Sequence, residues 1–221
     1  MAIVRIVADR LPLFPLGTVL FPGTSLPLHV FEPRYRALVE DLLAGPGPRS
    51  FGVVAIREGH EVGADSVRAL HEVGCVAFVQ EVQRAPDGRY GLLTLGGRRF
   101  RLLDVDRSRA YLQADVQLLD EPDGGDQADE WATKARAALA AYTEVRGGTV
   151  GPLPAEPTAL SYAVAAALAV DLPERQALLA AADTTARLQA EVALLGRETA
   201  VTRRLGAVPL AAPPVPRSSL N

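Results

Sequence analysis

An α+β fold is predicted, with the strands gathered in the first half of the chain and the helices in the second. Two observations carry this. Between residues 10 and 119, short runs rich in β-formers alternate with Gly, Pro and Asp turn signals about every ten residues. Beyond residues 120–128 (DEPDGGDQA) the strand pattern stops, alanine dominates and the apolar residues recur at helical spacing. The expectation is a small, partly closed barrel or folded sheet of six or seven strands with one helix, followed by a four-helix bundle. Residues 1–120 form the first part, 121–128 a linker, 129–206 the helical part and 207–221 a disordered Pro-rich tail.

The stretch Leu11–Arg36, LPLFPLGTVLFPGTSLPLHVFEPRYR, organises the first part. Proline fixes its own φ and biases the preceding residue towards extended geometry, so Leu13–Leu16 and Pro27–Val30 read as short strands. Phe21-Pro22-Gly23 suits a tight turn between them. Glu32 then precedes Pro33, and Tyr35, Leu38, Val39, Leu42 and Leu43 recur at helical spacing. Proline at the first helical position and a carboxylate beside the amino end both favour a helix start there.

Gly45-Pro46-Gly47-Pro48 breaks the helix. Phe51–Arg57 reads as a strand ending at Glu58-Gly59, with a short extended piece near Arg68–His71. Gly74 opens a second strong strand, Cys75–Arg84. Pro86-Asp87-Gly88 is a hairpin turn leading to Arg89–Leu95, because Gly supplies the positive φ such turns need. Gly96-Gly97 lets the chain bend or bulge before another strand, Arg99–Val105. Ala110–Leu119 alternates apolar and polar residues as a half-buried strand does. In the second half, helices are predicted around Trp131–Val145, from Pro157 through Leu168, from Pro173 through Leu179, and from an Asp183 or Thr184 cap to Leu205.

A chain of 221 residues can bury about 70% of its unfolded surface. The net charge of −3 argues against a polyanion as the main partner, and one cysteine, Cys75, rules out an internal disulfide. Arg5, Asp9 and Arg10 interrupt the first apolar residues, and no run reaches the roughly 18 apolar residues of a membrane span. A soluble cytoplasmic protein without membrane association is expected.

Chemistry is mostly excluded by what is absent. The only lysine is Lys134, inside a predicted helix, so neither a Gly-Lys-Ser/Thr phosphate loop nor an activated Ser-Lys pair exists. His29, His60, His71 and Cys75 have no spacing that gathers ligands in extended chain, and no metal or other cofactor is expected. The Pro213–Pro216 spacing is read as part of a solvated tail. Arg98, Arg99 and Arg101 around Phe100 form a basic-aromatic cluster; strand alternation turns Phe100 and Leu102 inward and leaves Arg99 and Arg101 facing water or pairing with acids.

The opening stretch resembles the start of the amino-terminal substrate-binding domain of Lon proteases, which runs through LPLFPL, then FPG, then PLHVFEPRYR. Later segments are similar in the same order: Val73-Gly74-Cys75, the Asp87-Gly88 hairpin, Gly96–Arg101, Tyr111–Val116, and ERQALLAAADTTARLQAEVALL. The resemblance covers about residues 10–205 and implies a pseudo-barrel like those of PUA domains. It also implies non-catalytic recognition of unfolded or peptide segments by a stand-alone domain, as an adaptor or modulator of a separate protease. A PUA-like module binding RNA or a small ligand is the alternative. The recognition reading expects exposed apolar surface near Phe14, Phe21, Phe31 and Phe100, rimmed by charge. Pro22, Gly23, His29, Glu32, Pro33, Arg34, Tyr35 and Arg36 are assigned to the fold, with Glu32 at the helix end, Tyr35 as a core anchor and the arginines paired to acids.

Overall fold

The computed structural model describes residues 9–61, 63 and 67–205. The expected disordered tail lies outside them, as do residues 1–8. Seven strands and five helices are found among the described residues, in the order β1 (Asp9–Leu16), β2 (Ser25–Val30), α1 (Pro33–Ala44), β3 (Ser50–Gly59), β4 (Val67–Leu70), β5 (Val73–Arg84), β6 (Tyr90–Asp106), β7 (Gln113–Leu118), α2 (Ala128–Val145), α3 (Pro157–Ala167), α4 (Leu172–Leu179) and α5 (Thr184–Leu205).

The strand pairings close on themselves. β1 runs antiparallel to β7, β7 to β6, β6 to β5 and β5 to β3, and β3 returns to β1 as a parallel neighbour. Each of these five strands sends at least one side chain into a common core: Leu13, Val54, Val76, Phe100, Ala114 and Val116. β2 and β4 add to this ring from outside, on β6 and β3.

One strand replaces the two predicted around Gly96-Gly97. β6 is continuous over 17 residues, its first half held between β2 and β5 and its second between β5 and β7. The glycines mark a bulge inside it: Ala77 faces Gly96 while Cys75 faces Arg99, so one extra residue sits on the β6 side. Gly96 is needed for close approach, because a Cβ there would lie 2.1 Å from the Phe21 carbonyl oxygen. That contact seats the turn after Phe21, where Gly23 has φ +74° and its N–H donates to the Gly96 carbonyl over 2.8 Å. Gly74 likewise lies within β5 and does not open a strand. It leaves room for the Phe100 ring, whose Cζ would stand 2.4 Å from an added Cβ.

α1 packs on the opposite face of β1 and β3 through Tyr35, Leu38 and Val39, in a cluster with Phe14, Leu16 and Phe51. Tyr35 stacks on Phe14 with ring centroids 4.1 Å apart.

The helices begin where the sequence supplies caps. The Glu156 side chain accepts from the N–H groups of Thr158 and Ala159 ahead of α3, Asp171 accepts from Glu174 N–H ahead of α4, and Asp183 accepts from Ala186 N–H ahead of α5. α2 packs on α3 and α5, and α4 touches α5 and β5. Their shared core includes Val19, Phe21, Ala55 and Val73, so the strand and helix halves bury one cluster together. The linker is tied in as well: the carbonyls of Pro122 and Asp123 accept from the N–H groups of Thr184 and Thr185.

Polar groups cross this seam. Arg99, expected to face water or an acid, is 2% exposed and turned towards the helices. It donates to Glu121 and to the carbonyls of Asp120, Leu179 and Ala181. Arg187 is buried over the Tyr162 ring, 4.0 Å from its centroid, and donates to Ser161 and the Leu178 carbonyl. One turn further along α5, Glu191 is fully buried, and neither carboxyl oxygen has a hydrogen-bond partner among the described residues. Burial pushes its carboxyl well above the ordinary 4.5, with Arg187 pulling the other way. As pH rises above 4.5 the unfolded chain ionises at Glu191 before the folded protein does, so this group costs stability from there upward. Glu191→Gln is therefore expected to raise the urea midpoint relative to the wild type at about pH 8 and to leave it little changed at about pH 4. An equal shift at both values would contradict the assignment.

Candidate functional site

The residues flanking the start of α1 form a two-part groove. Its apolar end is a cavity of about 180 Å³ between β1 and β2, with Leu16, Leu28, His29 and Phe31 on its walls. Its polar end is a cavity of about 320 Å³ walled by Arg34 on α1 and by Arg107, Arg109 and Tyr111 from the β6–β7 connection. Glu32 and Tyr35 belong to both and form the divide.

Local sequence explains why this surface stays open. Phe31 ends the apolar run that pairs β2 to β6, but Pro33 starts a helix at once, so the ring has no strand neighbour and stands 53% exposed. Glu32 occupies the N-cap position, yet its side chain makes no capping bond. It pairs instead with Arg34 at 3.1 Å and accepts from Gly63 N–H at 3.3 Å. Arg34 also donates to the Glu61 carbonyl at 2.8 Å and covers the Tyr35 ring at 4.5 Å from its centroid. Glu61 in turn accepts from Gly17 N–H, which fixes the far wall. Burial pushes the Tyr35 hydroxyl up to about 12, so it stays protonated, and it lacks a hydrogen-bond partner among the described residues. Tyr111 donates to Asp41 at 2.7 Å, which anchors the β6–β7 connection to α1.

The four phenylalanines expected on an exposed patch do not come together. Phe31 alone is exposed. Phe14 is buried, stacked on Tyr35 and tilted against Phe51, Phe21 is buried under Arg175 at the seam with the helices, and Phe100 fills the interior of the strand ring at 0% exposure. Their exposure is corrected for one reason: the aromatic rings are what the long-range pairings bury. Of the remaining motif residues, Pro22 and Gly23 make the turn against Gly96, His29 is exposed beside Gly91, and Pro33 begins α1. Arg36 lies against Gly88 of the β5–β6 turn, with no ion pair among the described residues.

Sequence reasoning missed Arg107, Arg109 and Tyr111. The signal was present as Arg-Ser-Arg in the connection between two predicted strands, but only the pairing of β6 with β7 carries it to α1. Cys75 is buried, with its thiol pushed up to about 12 by desolvation, and is unsuited to nucleophilic work. Among the described residues, no three His, Cys, Asp or Glu side chains gather to hold a metal, and no helix is long and apolar enough to cross a membrane.

The sequence matches the ATP-dependent protease La (LON) substrate-binding domain over residues 10–197. The chain belongs to that family. It is 30% identical over 207 residues to Lon protease 2 of Sorangium cellulosum, covering 89% of this chain and 26% of that protein. To Lon protease 2 of Syntrophobacter fumaroxidans it is 27% identical over 190 residues, covering 82% and 23%. The chain thus spans about a quarter of the length of the curated relatives it matches. Among solved structures, a Lon N-terminal domain protein from Xanthomonas campestris superposes with a TM-score of 0.60 at 27% identity, covering 84% of this chain and 98% of that one. The N-terminal domain of a Mycobacterium avium complex Lon protease gives 0.64 at 18% identity, covering 85% and 98%, and supports the fold alone.

Proposed function

We propose that this domain recognises unfolded or peptide segments of proteins without catalysing a reaction, and that it does so in the groove beside Phe31. Membership of a substrate-binding family supports the class of function. The observation that carries the location is the exposed Phe31 ring at the mouth of an apolar cavity, bordered by charged side chains. An aromatic ring on a short, well-packed strand end is a preorganised anchor: it offers apolar area without first having to be ordered. The strand ring is read as a PUA-like pseudo-barrel and the helices α2–α5 as a four-helix bundle that braces it. On this reading the domain works in the cytoplasm as an adaptor for a protease, with no cofactor or nucleic acid.

Phe31 is expected to act as a hot spot. Phe31→Ser should weaken binding of a reduced, unfolded model protein about 10- to 30-fold by fluorescence anisotropy, the loss typical of a truncated aromatic anchor. Thermal unfolding should be nearly unchanged, since the side chain is exposed. Unchanged affinity in a folded variant would remove the groove from the account.

A further inference from the structure

The polar half of the groove has a chemistry that apolar recognition does not use. Three arginines, Arg34, Arg107 and Arg109, line the cavity against one carboxylate, Glu32, which Arg34 already engages. Arg107 and Arg109 are exposed and have no carboxylate partner among the described residues; Arg107 reaches only the Val67 carbonyl, at 3.4 Å, and Arg109 lies beside Tyr111. α1 points its amino end here with no side-chain cap and no acidic residue in its first turn. The partial positive charge of that end adds to the arginines. Finally, the Tyr35 hydroxyl on the dividing wall is buried and has no partner among the described residues, although a buried hydroxyl is normally satisfied.

We infer that the groove selects peptide segments in which an apolar side chain stands next to a carboxylate. The apolar side chain lies against Phe31 and Leu28, and the carboxylate is held by Arg107 and Arg109. This rests on the peptide-recognition reading and narrows its substrate class. Charge complementarity decides the occupant. A guanidinium grips a planar carboxylate through two parallel N–H bonds, and Arg107-Ser108-Arg109 places two such forks in the β6–β7 connection. The carboxylate has two sources in a peptide, a free carboxyl terminus or an Asp or Glu side chain, and the same forks fit both.

The test uses one unstructured, apolar, fluorescently labelled peptide in four forms. These carry a free carboxyl terminus, an amidated terminus, an internal Glu with an amidated terminus, and an internal Gln with an amidated terminus. At least one carboxylate form is expected to bind about 10-fold more tightly than its neutral counterpart, and which one does so identifies the source. The preference should shrink as salt rises. The double variant Arg107→Ala/Arg109→Ala should abolish it, bringing each carboxylate form to the affinity of its neutral counterpart measured on the same variant. If all four forms bind alike and all depend on Phe31, the inference fails and the proposed function stands. If none binds, both fail. A preference that survives in the double variant, or an RNA oligonucleotide binding where the carboxylate peptides do not, also overturns it.

Discussion

Arg99→Ala is expected to destabilise the folded domain by about 3–5 kcal/mol, the largest loss anticipated from a polar residue here. The side chain is 2% exposed and satisfies four acceptors, the Glu121 carboxylate at 2.7 Å and three carbonyls at 2.7, 2.7 and 3.3 Å. Removing it leaves Glu121 a partly buried charge deprived of its closest cation and strands two carbonyls at the end of α4. A buried acceptor left unpaired forfeits its full desolvation cost, so these losses accumulate. Arg99→Lys keeps the charge but loses the fork, and should fall between the wild type and the alanine variant. Equilibrium unfolding in urea measures the difference; an Arg99→Ala unfolding free energy within about 1 kcal/mol of the wild type would mean that the seam is held by apolar packing alone, a boundary set by typical surface ion pairs of about 0–1 kcal/mol.

Phe100→Ala should cost a comparable amount, about 3–5 kcal/mol. The ring fills the middle of the strand cycle, and Gly52 and Gly74 are glycine where its edge passes, with added Cβ atoms falling 2.8 and 2.4 Å from Phe100 Cζ. Gly52 and Gly74 have no side chain to move into the cavity that truncation opens, which leaves only the remaining core residues to fill it. The loss therefore combines the transfer of a ring with a void that closes only in part. Phe100→Leu, which keeps part of the volume, should lose clearly less. The two alanine variants differ in mechanism: Phe100→Ala weakens the strand ring itself, whereas Arg99→Ala loosens the attachment of the helices to it. Near-ultraviolet and far-ultraviolet circular dichroism through the unfolding transition separates these outcomes.

Much of the element order was legible because many boundaries are written in local chemistry. Pro33 at the first turn of α1, Glu156-Pro157, Asp171 and Asp183 all act within three residues of themselves, as does the Asp87-Gly88 turn between β5 and β6. Alternation held at Arg99, which points away from Phe100 and pairs with Glu121, but its burial was not legible, because the outer face of β6 there is dry where the end of α4 covers it. The rule that places charged residues outward assumes one wet face, and here both faces are filled, by Phe100 on one side and Arg99 on the other. The candidate site was legible only in part. Phe31, Glu32 and Arg34 sit in the opening motif, but Arg107 and Arg109 reach it from more than seventy residues away through the β6–β7 pairing and the Tyr111–Asp41 bond. Which phenylalanine remains exposed is also a long-range matter, fixed by which rings the closed strand cycle and the helices bury.

Protein segments are proposed to bind beside the amino end of α1. Amide chemical-shift mapping of the folded domain during titration with a reduced, unfolded model protein tests it most directly. Shifts concentrated on Leu28–Tyr35 and Arg107–Leu112 are predicted. The strongest shifts falling instead around Phe78 and Leu95, which are also exposed, would contradict this placement.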